Sequence, residues 1–169
     1  MALSLVAGLI AVVLVPEPSS SKTCSLLTSV EIEAAVGARV EAPHPGEMSL
    51  PNNGGTMQMC TWVVRDQKAQ VLISTALMPP GTNVKALAKN NAGLDALRAQ
   101  KWTEESKDFG NAWCTVMSPP ASVKDPMYMS ACTSGPKGTL LSVTYMSPSK
   151  RLPLDQTKTL LDKAAARLP

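Results

Sequence analysis

Polar and apolar positions along this chain follow two different periods. Between Ala69 and Met78, Val71, Ile73, Thr75 and Leu77 alternate with their neighbours, as in a strand with one buried face. Thr56–Arg65 reads as its partner across the polar turn "RDQK". Strands follow at 111–117, 127–134 and 138–146, the last two joined by "SGPKG", a hairpin-turn sequence. Elsewhere the period is helical. From Leu26 to Val36, Leu26, Leu27, Val30 and Ala34 fall on one side and Glu31 and Glu33 on the other. Thr28 with Glu31 three residues later makes a capping box, and Gly37 is a left-handed stop. A second helix begins at Thr82 or Asn83 and carries Val84, Leu87, Leu94 and Leu97. Its middle, "KNNAG", is weak helix material that bends or breaks it. A third spans 154–168, with Leu161, Ala164, Ala165 and Leu168 inward.

The remaining segments lack either period. "EAPHPGEMSLPNNGG" reads as a long exposed loop, and Glu104, Glu105 and Asp108 as a solvated connector after the second helix. Consecutive strands exclude a simple parallel βαβ architecture. The expected fold is α+β: an antiparallel sheet of five to six strands, with about three helices packed mainly on one face.

The first fifteen residues, "MALSLVAGLIAVVLV", carry no charge, and the apolar run from Leu3 to Val15 is too short for a typical membrane span. It fits the apolar core of a secretory signal. The chain therefore divides into residues 1–22, a signal peptide or N-terminal anchor with a short linker, and residues 23–169, a single extracytoplasmic domain. Any membrane attachment runs through that first segment.

Export gives meaning to the four cysteines, Cys24, Cys60, Cys114 and Cys132. An even number in an oxidising compartment implies disulfides, and four cysteines permit three pairings. None stands in a C-x-x-C arrangement, which leaves zinc knuckles and thioredoxin-type chemistry without support. Neighbouring predicted strands carry Cys114 and Cys132, which favours their local pairing; Cys24 then ties the first helix to Cys60 in the sheet.

The run "CSLLTSVEIEAAVG" followed by "CTW" resembles a family of small exported bacterial proteins and lipoproteins of unknown function, in which a C-x-L-L-T…E…G helix precedes a Cys–aromatic strand. Cys24, Leu26, Leu27, Thr28, Glu31 and Gly37 carry the helix pattern; Cys60 and Trp62 carry the strand pattern. The resemblance covers about forty residues and implies an extracytoplasmic α/β domain with Cys24 bonded to Cys60. It brings no catalytic residues. The sequence departs from lipoprotein members at "SSKTC", where Lys22 stands in place of a small residue.

Composition narrows the function classes. Net charge is +3 with no basic cluster longer than Lys150–Arg151, and aromatics are 4%, so the sequence offers neither a nucleic-acid footprint nor a base-stacking platform. Hydrolytic chemistry finds little: the single histidine, His44, lies in the Pro-rich loop, and no G-x-S-x-G occurs. S-x-x-K occurs at Ser19/Lys22, Ser134/Lys137 and Ser147/Lys150, without the S-D-N and K-T-G partners of a penicillin-binding site. No cofactor is called for, and the reading is non-enzymatic.

Methionine supplies the sharper candidate. Met57-x-Met59 and Met127-x-Met129 each place two thioethers on one strand face. Where thiols are oxidised, thioethers and imidazole are the soft ligands left for Cu(I), and His44 lies in a loop that can reach them. The competing role is core filling in a chain with one Phe. Trp62 and Trp113 are candidates for the wall of a small-ligand pocket, or for packing on the disulfides. The leading expectation is an exported domain that binds a partner protein, envelope component or small ligand. A Cu(I) binder using the Met pairs and His44 is the alternative, and a hydrolase with a dispersed site is the third.

Overall fold

The computed structural model describes residues 22–50 and 55–169; the segment expected to be a signal peptide or anchor falls, apart from Lys22, outside the described residues. A 3-10 turn at Lys22–Leu26 leads into helix α1, Ser29–Val36. Strands β1 (His44–Ser49), β2 (Thr56–Val64) and β3 (Ala69–Leu77) follow. Next come α2 (Val84–Lys89) and α3 (Ala92–Ala99), then β4 (Thr103–Asp108), β5 (Ala112–Ser118), β6 (Tyr128–Ser134) and β7 (Thr139–Ser147). Helix α4, Leu154–Ala166, ends the fold. All seven strands make one antiparallel sheet in the order β1-β2-β3-β7-β6-β5-β4.

Seven strands replace the five to six expected, and the two extra ones are the edges. β1 lies in the stretch expected as a loop, and β4 in the stretch expected as a connector. Every residue of β1 is exposed, and β4 reads Thr-Glu-Glu-Ser-Lys-Asp with only Glu104 partly covered. An edge strand without a buried face carries no alternation to detect, and Pro and charge are what edges use against unwanted pairing. The expected second helix is broken at Asn90–Asn91. Asn91 caps α3, its Oδ1 accepting from the Gly93 N–H at 2.8 Å.

The core lies on one face of the sheet. Trp62, Val71 and Tyr145 stand in one register row, Cys60, Ile73, Val143, Cys132 and Cys114 in the next, all buried. α4 covers this face with Leu154, Leu160, Leu161 and Ala164, and α1 adds Ile32 and Val36. The phase of α1 differs from expectation. Thr28 is the N-cap, so Leu26 and Leu27 are buried ahead of the helix, while Val30 and Ala34 point to solvent. Helices α2 and α3 take the opposite face at the β4–β6 end, where Lys89 lies over the Trp113 ring (4.3 Å to the centroid) and Met117 is fully buried.

Both disulfides have the favoured pairing. Cys24–Cys60 fixes the 3-10 turn to β2, and Cys114–Cys132 bridges a directly opposed pair on β5 and β6. Burial at 7% for Cys24 and 0% for the other three places both bonds in the core. Among the described residues no helix is long and apolar enough to cross a membrane.

Candidate functional site

An open groove of about 710 Å³ lies at one end of the core face. Five parts of the chain build it: the 3-10 turn (Lys22, Thr23, Ser25, Leu26), the start of β2 (Gly55, Thr56, Gln58), the end of β3 (Thr75, Ala76, Leu77), the start of β7 (Thr139) and the C-terminal tail (Arg167, Leu168, Pro169). β3 ends there because Pro79 and Pro80 follow. The 3-10 turn is held there because Cys24 is bonded to Cys60.

A polar cluster forms the floor. The hydroxyls of Thr23 and Thr75 are 2.9 Å apart, and Thr23 Oγ1 donates to Gln58 Oε1 at 3.4 Å. Thr23 is 2% exposed, so these groups form a fixed hydrogen-bonding set at the base of a mostly apolar recess. On the rim, Arg167 donates to the Leu26 carbonyl at 3.0 Å and forms a two-pronged pair with Glu31, Nη1 to Oε2 at 2.6 Å and Nη2 to Oε1 at 2.9 Å. Lys137 Nζ reaches the Leu168 carbonyl at 3.0 Å and ties down the tail. Arg167, with help from Thr28, pulls the Glu31 carboxyl down to about 2 against the opposing effect of burial. Lys22 is exposed, and no ion pair holds its ammonium among the described residues.

The tryptophans do not share a wall. Trp62 lies in the core row with Val71 and Tyr145; Trp113, opposite Thr133, stands on the other face beneath Lys89. Neither lines the groove. Trp62 Nε1, Trp113 Nε1 and Tyr145 OH are buried with no hydrogen-bond partner among the described residues.

The methionine pairs are also separated. Met57 and Met59 lie on β2, while β3 and β7 intervene before β6, which carries Met129. Three strand spacings put the two sets roughly 14 Å apart. Met127 precedes β6 and is 41% exposed, and Met129 instead lines up with Met117 and Met146 across β5, β6 and β7. His44 does join the first pair: it lies in β1, not in a loop, opposite Thr61 and on the same face as Met57 and Met59.

The hydrolytic candidates have other employment. Glu104 accepts from Arg98 Nε at 2.6 Å and from the Ser106 and Thr115 hydroxyls, and Arg98 chiefly holds its carboxyl below the usual range despite partial burial. Asp108 is lowered first by the Gly110 N–H and then by Lys85. Of the S-x-x-K lysines, Lys150 donates to the Val36 carbonyl at the end of α1 at 3.2 Å, and Lys137 to Leu168. Ser19 lies outside the described residues.

The architecture is therefore a single antiparallel sheet with helices on both faces and a disulfide within each half. No family model matches the chain, and no curated protein does. Among solved structures it is similar to the extracellular domain of PknH from Mycobacterium tuberculosis. The TM-score is 0.54, over 86% of this chain and 94% of that one, at 12% sequence identity. At that identity the likeness is one of fold.

Proposed function

We propose that this chain is an exported, non-enzymatic binding domain whose groove takes a small amphiphilic ligand. The observation that carries the reading is the groove itself. An apolar wall of Leu26, Leu77 and Leu168 faces a polar set of Thr23, Gln58 and Thr75, with Lys22 at the rim. Few, well-placed polar groups in an apolar recess are the usual composition of a small-molecule site. Export is supported by two buried disulfides, which persist outside the reducing cytoplasm, and by the fold shared with an extracellular domain. The helix motif around Cys24 agrees with an exported family.

Native mass spectrometry of protein secreted by an exporting host tests this directly, followed by thermal melting with a series of medium-chain fatty acids. A bound organic adduct, or a melting temperature that rises with fatty-acid concentration, is expected for the wild type. Thr56→Trp, an exposed strand position at the groove, fills the space and abolishes the effect while keeping the fold. An adduct-free mass together with flat melting curves across the series refutes the groove as a ligand site.

A further inference from the structure

We infer that the β1–β2 edge is a binding site for a soft monovalent cation, Cu(I), with Met48, Met57 and Met59 as ligands and His44 next along the same face, diagonal to Met59. It is separate from the groove and independent of it. The register pairs His44 with Thr61, Gly46 with Met59 and Met48 with Met57. Opposed residues share a face and alternate residues return to it, so one imidazole and three thioethers stand together on one side of a two-strand ribbon.

Gly46 makes the arrangement compact. A Cβ there would lie 3.8 Å from Met59 Cε and 4.0 Å from Met59 Cβ. The Met59 side chain thus leans over the gap that Gly46 leaves between His44 and Met48. Met48 is directly opposite Met57 and diagonal to Met59, a separation of about 7–8 Å at the backbone that is within reach of methionine, whereas His44 is diagonal to Met59 but four positions along from Met57.

The chemistry selects the ion. Thioether and imidazole are soft or borderline donors that suit Cu(I). All four cysteines are in disulfides, so no thiolate competes within the described chain. Glu47, opposite Gln58, falls on the other face, which leaves this face of the β1–β2 ribbon without the carboxylates that Zn²⁺ or Ca²⁺ sites use. Core filling does not explain the cluster at its outer strand: Met48 is 48% exposed and His44 is exposed. The helices on this face, α2 and α3, lie at the other end of the sheet.

Competition between the disulfide-intact protein and a chromogenic Cu(I) chelator, under ascorbate, gives the affinity; Ag(I), which is redox-inert here, repeats it as a control. One ion per chain is expected. The Met57→Leu/Met59→Leu double variant, close in volume and hydrophobicity, should bind at least 100-fold more weakly. Gly46→Val keeps every ligand and suits a strand, yet displaces Met59, and should weaken binding at least tenfold. Met127→Leu should change nothing. X-ray absorption should show mainly sulfur ligation. A wild-type affinity no greater than that of the double variant, or an equal loss in Met127→Leu, overturns the site. Circular dichroism of each variant separates lost ligation from lost folding.

Discussion

Among the described residues, Glu31 is one of the most heavily engaged side chains. Its carboxylate accepts from the Thr28 N–H and hydroxyl at 3.0 Å each, from both ends of the Arg167 guanidinium, and has Lys163 Nζ at 3.7 Å. One residue therefore closes the capping box of α1 and clamps the end of α4 to the start of the fold. Glu31→Gln is expected to cost about 1–2 kcal/mol at pH 7, read from urea unfolding. The pH dependence has a definite sign. The folded carboxyl titrates at about 2 against an ordinary 4.5, so its stabilisation is complete above 4.5 and disappears as pH falls through 2. The gap between wild type and variant should therefore narrow across that window; a gap constant from pH 7 to pH 2 means the carboxylate is not held ionised by its partners. Half of this constellation was legible beforehand, because a capping box is local: Thr28 and Glu31 are three residues apart. Arg167 lies 136 residues from Glu31, and nothing in a helix-terminal arginine announces such a partner.

At the level of elements, legibility followed burial. β2, β3, β5, β6 and β7 each bury one face or more, and the period-two signal reveals them. β1 and β4 are held by backbone pairing to one neighbour and have no buried side to report. His44 reads as a loop residue for that reason, since "APHPG" contains loop-favouring residues, yet it pairs with β2. The middle helix shows the reverse case, where a local signal was correct: the Asn pair breaks it, and Asn91 starts α3 anew. Asn91→Ala removes that cap, and α3 should lose about 1 kcal/mol of local stability. Amide hydrogen exchange in Leu94–Ala99 should accelerate correspondingly, with β2 and β3 unaffected. Uniform acceleration across the sheet instead would show that α3 is coupled to global unfolding.

For the whole molecule, the sheet order joins two meanders, β1-β2-β3 and β7-β6-β5-β4, along the single seam between β3 and β7. Cysteine spacing and the predicted strands made the pairing legible because Cys114 and Cys132 fall in adjacent strands. The groove was not legible, since its lining comes from segments at both ends of the chain and in the middle. The two bonds close loops of 36 and 18 residues, which on chain entropy are worth roughly 4 and 3 kcal/mol. Replacing Cys24 and Cys60 together by Ser should therefore destabilise more than the same change at Cys114 and Cys132, as measured by the urea midpoint. The opposite order would show that native-state packing outweighs loop length.

Each bond lies within its own meander, and neither crosses the seam. A single proteolytic nick anywhere between Pro79 and Lys101 thus yields two fragments that share no covalent link. They would remain associated through the eight-pair β3–β7 ladder and the contact of α4 with α1. Nicked protein should elute as one species under native conditions and run as two bands in detergent without any reductant. The chain behaves, in covalent terms, as two closed rings laid edge to edge, and its halves are natural candidates for separate expression and reassembly.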